Sequence, residues 1–252
     1  MAHIPVLSYS YRGLVQGINP KISLVDSNSP CLCGSVAKEI EELLQGVVSG
    51  LGLSLTQVQS NQLATHFSLL LRWNQKINLT AVRRPEAIAT RHFEESLFML
   101  KLVPCAPGFL IDVGSGAGFP GLAVKIACPS LSAVLLEPNH KKATFLKEVI
   151  RSCNLEGIEV RTHRLEEAVR GHLAGCATIV SLRAVSSSQK MLAALAQLLA
   201  PQGQLALFLG SDDARATTAL PGFHWSSPTP IPHSHRRVIL LGRLATPSEP
   251  RQ

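Results

Sequence analysis

The sequence predicts an α/β protein with a doubly wound, mostly parallel sheet that follows an N-terminal layer of helices. Beyond residue 108, short apolar runs of strand length alternate with helical segments, which is typical of βαβ units. A glycine-rich stretch, Asp112-Val-Gly-Ser-Gly-Ala-Gly-Phe-Pro-Gly121, follows the first of these runs. Such a stretch is expected where a strand turns into a helix beside a ligand crevice.

The N-terminal part divides into a tail and a helical subdomain. Residues 1–35 show neither helical nor strand periodicity and are interpreted as a disordered or over-long tail without assigned function. Residues 36–103 form the helical subdomain, whose first helix has apolar residues at helical spacing from Ile40 to Leu51. A capping box, Ser54-Leu-Thr-Gln57, predicts the start of a second helix, and Pro85 the start of a third.

Residues 104–252 are expected to form the sheet domain, with the ligand at the carboxyl ends of its strands. Two of its strand-like runs lie near residue 252 with only a short helical stretch between them, which predicts a terminal antiparallel strand. The expected strands are 109–113, 133–136, 158–161, 178–182, 204–209 and 237–241, and the expected helices are 141–153, 166–173, 188–199 and 212–220.

Composition limits the class of protein. The chain has 252 residues, of which 46% are hydrophobic, enough for a substantial core. Its formal net charge of +7 favours an anionic partner and supports nucleic acid only modestly. No apolar run reaches the roughly 18 residues of a membrane helix. No secretory signal is recognisable either, so the cytoplasm is the default location.

The six cysteines are scattered and show no paired C-x-x-C spacing. This pattern indicates neither a zinc site nor a disulfide framework, and reduced, mostly buried thiols are expected. Cys31-Leu-Cys33 leaves metal binding or oxidation open as a weak alternative.

The glycine-rich stretch fits two classes of ligand. Gly116-Ala-Gly118-Phe-Pro-Gly121 satisfies the G-x-G-x-x-G pattern of dinucleotide-binding proteins, with acidic Glu137 about 20 residues further on. The frame that begins at Asp112 instead places a carboxylate at the strand end, where it suits a ligand carrying an ammonium or sulfonium group. Pro120 suits a first helical position, so free backbone N–H groups and a helix dipole are expected to face the ligand.

Several polar side chains follow the ends of the expected strands. Glu137 is placed to accept hydrogen bonds from ribose hydroxyls, and Leu165 and Glu166 could flank an adenine. Arg183 lies in an apolar context where a charge needs a partner: a cofactor carboxylate, an RNA phosphate or a neighbouring glutamate. The first two are preferred. His92 lies on the apolar stripe of the expected third helix and is interpreted as a buried histidine rather than a catalytic acid or base.

The frame that begins at Asp112 resembles the S-adenosylmethionine loop of class I methyltransferases. For methyl transfer, two absences narrow the acceptor to an atom with an available lone pair. The Asn/Asp-Pro-Pro-aromatic sequence shared by exocyclic-amine methyltransferases does not follow the fourth strand. Cys105 precedes the glycine stretch, the wrong position for the attacking cysteine of a pyrimidine-C5 enzyme. A guanine N7 fits, because it needs no deprotonation, and in-line positioning without a general base would suffice.

Three motifs resemble one bacterial family closely. They are Trp73-Asn74-x-x-x-Asn78-Leu-Thr-Ala-Val82, then Arg91-His92-x-x-x-Ser96-Leu97, then Asp112 to Gly121. The likeness continues through Lys141-Lys142-x-x-Phe145-Leu146, Glu166-Glu167 and Arg183-Ala184, and covers roughly residues 40–242. In these motifs the chain resembles the small-subunit ribosomal RNA methyltransferase G family, also called glucose-inhibited division protein B.

The resemblance implies a class I, Rossmann-like methyltransferase that uses S-adenosyl-L-methionine to methylate N7 of one guanine in 16S rRNA near the decoding centre. It implies cofactor contacts from Gly114, Phe119, Leu165, Glu166 and Arg183. The strand-end argument adds Asp112 and Glu137, and the glycine frame adds Gly116. Asn78 and Thr80 are expected to brace the helical layer against the sheet.

The chain departs from the family pattern at four places: Glu95 and Glu137 stand where the family usually has Asp, Leu182 replaces Ser, and Phe208-Leu209-Gly210 replaces Leu-Lys-Gly. The expected partner is 16S rRNA or the 30S subunit, with no metal, no membrane and a monomer favoured. Two alternatives stay open: a non-catalytic ribosome-assembly factor that binds RNA, and an NAD(P)-dependent oxidoreductase. Candidate phosphate contacts are Arg83, Arg84, Lys141, Lys142, Arg236 and Arg237.

Overall fold

The computed structural model of the protein describes residues 34–183 and 188–245. Within these ranges eight strands form one sheet: β1 (Gly108–Val113), β2 (Leu131–Leu136), β3 (Ile158–Arg161), β4 (Ala177–Arg183), β5 (Leu199–Gly210), β6 (Phe223–Trp225), β7 (Thr229–Pro230) and β8 (Arg237–Leu244). Their spatial order is β3-β2-β1-β4-β5-β8-β6, and β7 pairs with β8. Strands β1 to β5 are parallel and β8 is antiparallel to β5, which confirms the predicted doubly wound sheet with a terminal antiparallel strand.

The α-helices are α1 (Gly34–Gly50), α2 (Gln57–Trp73), α3 (Pro85–Ile88), α4 (Glu95–Phe98), α5 (Gly121–Ala127), α6 (His140–Ser152), α7 (Leu165–Ala168), α8 (Gln189–Leu198) and α9 (Ser211–Thr218). A π-helical turn, Ala89–Glu94, joins α3 to α4, and a 3₁₀ turn, Met99–Lys101, follows. The helix predicted to start at Pro85 is therefore unbroken along the chain, but its hydrogen bonds change between the α, π and 3₁₀ patterns. Among the described helices, none combines the length and apolar character that crossing a membrane requires.

Helices cover both faces of the sheet. One apolar cluster joins the N-terminal helices to α5, α6 and one sheet face, whereas another joins α7, α8 and α9 to the opposite face. The Gln59 side chain ties α2 to the end of α5 by donating to the carbonyls of Ile126 and Ala127. The N-terminal layer thus packs directly on the helix that follows the glycine stretch.

The capping box of α2 lies two residues later than predicted. The N-cap is Thr56, whose hydroxyl accepts the Gln59 N–H at 3.3 Å while the Gln59 side chain accepts the Thr56 N–H at 2.8 Å. Both Ser-x-x-Gln and Thr-x-x-Gln occur in this stretch, so the local pattern alone cannot choose between them. The Thr56 register also lets the Gln59 amide reach α5, a contact that depends on tertiary packing.

Other element boundaries also differ from expectation. The predicted helix over 166–173 is the single turn α7, followed by turns that contain Gly171 and Gly175. Strand β5 begins at Leu199, five residues early, because it pairs with β4 across a register shift between Ala177 and Ile179. The short strands β6 and β7 were not predicted, since three and two residues are too few for a periodic pattern.

The cysteine prediction was wrong for one pair. Cys105 and Cys128 form a disulfide, with Cα atoms 5.6 Å apart. Cys105 precedes β1 and Cys128 follows α5, so both lie near the amino ends of the parallel strands, opposite the glycine stretch. Sequence spacing does not reveal this proximity. Cys153 is free and buried, as expected, whereas free Cys176 is exposed. Cys31 and Cys33 lie outside the described residues.

Candidate functional site at the glycine loop

The glycine loop, residues 114–121 between β1 and α5, adopts backbone conformations that suit glycine. Gly114, Gly116 and Gly118 have φ angles of 71°, 58° and 89°. At Gly121 the constraint is close packing, because a Cβ there would lie 2.5 Å from Cβ of Asp112. A Cβ on Gly114, in contrast, would meet no atom within 4 Å. The loop therefore packs tightly at its helical end and leaves open space beside Gly114, at the carboxyl end of β1.

Most backbone N–H groups of this loop bond to the protein itself. Glu137 accepts the Gly116 N–H at 2.8 Å, and Asp112 accepts the Gly121 N–H at 3.0 Å. Four further amides donate to backbone carbonyls: Gly114 and Ser115 to Leu136, and Gly118 and Phe119 to Ser115. The expectation that free amides would face the ligand is therefore wrong for these six groups. Pro120 immediately precedes α5 and does not form its first residue.

Asp112 is buried beneath the loop and is fully hydrogen-bonded within the protein. Its carboxylate accepts hydrogen bonds from the Ser115 hydroxyl at 2.5 Å, the Ser181 hydroxyl at 2.7 Å and the Gly121 N–H. Burial raises the pKa of this carboxyl, and the hydrogen bonds oppose that shift. Asp112 thus holds the loop against β1 and β4, and its direct contact with a ligand stays a prediction.

Glu137, at the carboxyl end of β2, contacts the glycine loop. Its two carboxylate oxygens accept the N–H groups of Gly116 and Asn139, and each oxygen keeps a second lone pair. Leu165 and Glu166 begin α7, which is separated from the neighbouring strand β3 by three residues. Leu165 is half-buried and Glu166 is exposed. The fold therefore brings these residues to adjacent strand ends, while the cofactor contacts expected from them remain predictions.

Arg183, at the end of β4, pairs with a glutamate, the least preferred of its three expected partners. One terminal nitrogen, Nη2, lies 2.9 Å from Oε2 of Glu95 and also donates to the carbonyl of Arg91 in the π turn. Glu95 is buried and binds Arg237 through its other oxygen. Burial raises the pKa of Glu95 to about 6, although the flanking arginines lower it. The other terminal nitrogen of Arg183, Nη1, is buried without a hydrogen-bond partner among the described residues.

Phe119 is stacked between the buried His66 and the half-buried His92. Its ring centroid lies 4.8 Å from that of His66 and 4.9 Å from that of His92, with interplanar angles of 20° and 15°. His66 Nε2 lies 2.8 Å from the Ala117 carbonyl, and His92 Nε2 lies 2.7 Å from the Thr80 hydroxyl. Burial lowers the pKa of His66 to about 4 and that of His92 to about 3, the latter with help from nearby arginines. Both imidazoles are therefore neutral near pH 7 and support the loop.

His92, interpreted from the sequence as a buried histidine, is half-buried and hydrogen-bonded to Thr80. His66, which is fully buried, was missed. His66 lies on the apolar stripe of α2 with Leu63, Phe67 and Leu70, a pattern that could have indicated its burial. The prediction that Asn78 braces the helical layer against the sheet is also not supported. Asn78 is exposed, whereas the Asn74 side chain bonds to the backbone of Leu79 and Thr80.

Two departures from the family pattern fall in the apolar core. Leu182 and Leu209 are each 4% exposed and belong to the cluster beneath α8 and α9. Leu182 pairs with Leu207 and Leu209 with Val238, so both side chains have apolar surroundings. At these positions the chain therefore gains buried apolar surface where the family pattern has polar side chains.

Three of the candidate phosphate contacts already have partners within the protein. Arg237 pairs with Glu95, Arg84 with Glu86 at 3.4 Å, and Arg83 donates to the Asn74 carbonyl at 3.3 Å. Lys141, Lys142 and Arg236 remain candidates, and contacts of all six with RNA are untested.

Solved structures share this architecture. A "SAM dependent methyltransferase" from Aquifex aeolicus has a TM-score of 0.53 and 12% identity, over 64% of this chain and 94% of that chain. A "ribosomal protein L11 methylase" from Lactobacillus delbrueckii subsp. bulgaricus has a TM-score of 0.51 and 14% identity, over 62% and 79%. At these identities the likeness concerns the fold alone, and it confirms the predicted class I, Rossmann-like architecture.

Sequence comparison places the chain in a family. A protein from Caldanaerobacter subterraneus subsp. tengcongensis named "Ribosomal RNA small subunit methyltransferase G" is 43% identical over 131 residues, 52% of this chain and 54% of that protein. One of the same name from Xylella fastidiosa is 37% identical over 177 residues, 69% and 79%. The chain thus spans little more than half the length of the first of these relatives. The sequence model described as "rRNA small subunit methyltransferase G" matches residues 59–223, and the chain therefore belongs to that family.

Proposed function

We propose that this protein transfers a methyl group from S-adenosyl-L-methionine to N7 of a guanine in 16S rRNA, near the decoding centre, in the cytoplasm. The proposal is carried by two observations: the space beside Gly114 is open, and the Glu137 carboxylate at the next strand end contacts the same loop at Gly116. The loop amides that a pyrophosphate would need are bonded to Glu137, Asp112 and backbone carbonyls. The crevice thus offers acceptors, which favours a nucleoside with hydroxyls and a cationic centre over a dinucleotide.

The residues present fit this cofactor. Glu137 would accept the ribose hydroxyls, Leu165 and Glu166 would flank the adenine, and Gly114, Gly116 and Phe119 would form the wall of the crevice. Nη1 of Arg183, which has no hydrogen-bond partner among the described residues, is a donor suited to a carboxylate. Asp112 would act by holding the loop in place. When bound, S-adenosylmethionine supplies an activated methyl group.

The chain's contribution to catalysis is then mainly positioning. Guanine N7 carries a lone pair and loses no proton before it attacks, so the site needs no general base. This matches His66 and His92, which are neutral near pH 7 and stacked on Phe119. The family resemblance supplies the choice of 16S rRNA and of N7.

The deciding experiment incubates the protein with methyl-labelled S-adenosylmethionine and unmodified 30S subunits, followed by mapping of the labelled base. We expect one N7-methylguanosine in 16S rRNA. RNA binding without label transfer would favour the assembly-factor alternative. Tight NAD(P) binding without S-adenosylmethionine binding would favour the oxidoreductase.

A matched pair of variants tests the assignment of Glu137. E137Q keeps one acceptor for the Gly116 amide, but it turns a donor towards the Asn139 N–H and loses the charge beside the ribose. We therefore expect the dissociation constant of S-adenosylmethionine to rise roughly tenfold. E41Q makes the same change on the exposed surface of α1 and should leave it unaltered. Equal affinities of E137Q and E41Q in calorimetric titration would refute the role given to Glu137.

A further inference from the structure

A second concave surface, here called the arginine groove, lies between the helical residues 90–95 and the loop 232–237. Its volume is about 500 Å³. Arg91 and Arg237 contribute to its two walls. The groove is next to the glycine loop, because His92, the neighbour of Arg91, stacks on Phe119. A chain lying in the groove would therefore pass close to the proposed methyl-donor crevice.

Two buried carboxylates fix the walls of this groove relative to each other. Glu95 binds Arg237 on the opposite wall and Arg183 at the end of β4. Glu94 lies 3.0 Å from Nδ1 of His233, also on the opposite wall. Both glutamates have side chains no more than 5% exposed. The groove is thus preformed by contacts between segments about 140 residues apart in sequence.

The charges left after this pairing are positive and lie on both walls. Arg91 and Arg236 are exposed, and within residues 34–183 and 188–245 neither guanidinium has a hydrogen-bond or ion-pair partner. Thr90 and Ser234 add hydroxyl groups to the same lining. Two unpaired guanidiniums across an open groove suit a chain of phosphodiesters, since each can bind phosphate oxygens bidentately.

We propose that the arginine groove binds the phosphodiester backbone of the single-stranded RNA segment that carries the target base, with Arg91 and Arg236 as the two phosphate contacts. This rests on the proposed function for the identity of the RNA. The arginines bound to Glu95 act differently: they hold the groove open. Arg91 and Arg236 provide the affinity for the RNA backbone, and Glu95 holds the two walls of the groove in position.

The test compares R91Q, R236Q and the double variant with R170Q, which removes an exposed arginine after α7. Binding of a 16S rRNA fragment is measured without cofactor at several salt concentrations, and binding of S-adenosylmethionine separately. We expect RNA affinity to fall roughly threefold to tenfold per groove arginine. The slope of log affinity against log salt should fall by about 0.7 per arginine. R170Q should change neither, and cofactor affinity should be the same in all four variants.

The outcomes separate the two proposals. Unchanged RNA affinity and salt slope in the double variant, or losses equal to those of R170Q, would overturn the groove assignment even if the parent protein methylates rRNA. Conversely, weakened RNA binding in the double variant would support the groove even if the parent protein transferred no methyl group, a result that would refute only the proposed function. Far-UV circular dichroism and melting temperature confirm folding, which removal of exposed arginines should not disturb.

Discussion

Asp112 gives the sharpest test of how the glycine loop is built. In D112A, three donors lose their acceptor at once. The Ser115 hydroxyl keeps an alternative, because the Asp112 carbonyl lies 3.3 Å away. The Gly121 N–H and the Ser181 hydroxyl would be left unsatisfied in a buried site. At about 1–3 kcal/mol each, the loss of unfolding free energy should be about 2–6 kcal/mol.

D112N should behave differently from D112A. The asparagine oxygen can accept from Ser115 and Gly121, and its NH₂ group can donate to the Ser181 hydroxyl, so all three contacts can be kept. The substitution also removes a buried charge whose pKa burial raises. We therefore expect D112N to change the unfolding free energy by less than about 1.5 kcal/mol.

Urea unfolding of the three proteins gives the free energies, and calorimetric titration gives the affinity for S-adenosylmethionine. A D112A protein as stable as the parent would refute the bracing role. A stable D112N protein that loses tenfold or more in cofactor affinity would instead show that Asp112 acts on the cationic ligand, as the sequence pattern suggests.

Two further predictions concern the groups around this loop. E95A leaves two guanidiniums unpaired, one of them largely buried, and should lower the unfolding free energy measured in urea by about 3–5 kcal/mol. E42A breaks an exposed ion pair on α1 and should lower it by less than about 1 kcal/mol. Similar losses in the two variants would contradict the argument that Glu95 neutralises buried charge. Burial lowers the folded pKa of His66 to about 4 and that of His92 to about 3, below the ordinary 6.5, so the unfolded chain binds more protons. Stability should therefore be lost as the pH falls from about 6.5 towards 3. In H66Q/H92Q this decline should be shallower than in the parent protein, and parallel pH profiles of urea midpoints would refute it.

Local sequence patterns predicted most of the fold. The strand β3 was predicted at its observed bounds, and β1, β2 and β4 to within two residues at each end, because buried parallel strands are continuous apolar runs. Helix α6 was predicted equally well from its amphipathic period. Predictions failed where tertiary contacts choose between local alternatives, as at the Thr56 cap, or where an element is too short to show a period, as in β6 and β7.

By itself, the sequence determined the glycine loop, the strand ends beside it and the family, because each depends on residues that are close together in the chain. The tertiary structure decided which partner each buried charged group binds. Asp112 meets Ser181 across 69 positions, and Arg183 meets Glu95 across 88. Such partners depend on how distant strands and helices pack, and a buried charge takes the partner that packing supplies. That is why Arg183 could be recognised as a charge in need of a partner, while Glu95 could not be recognised as that partner.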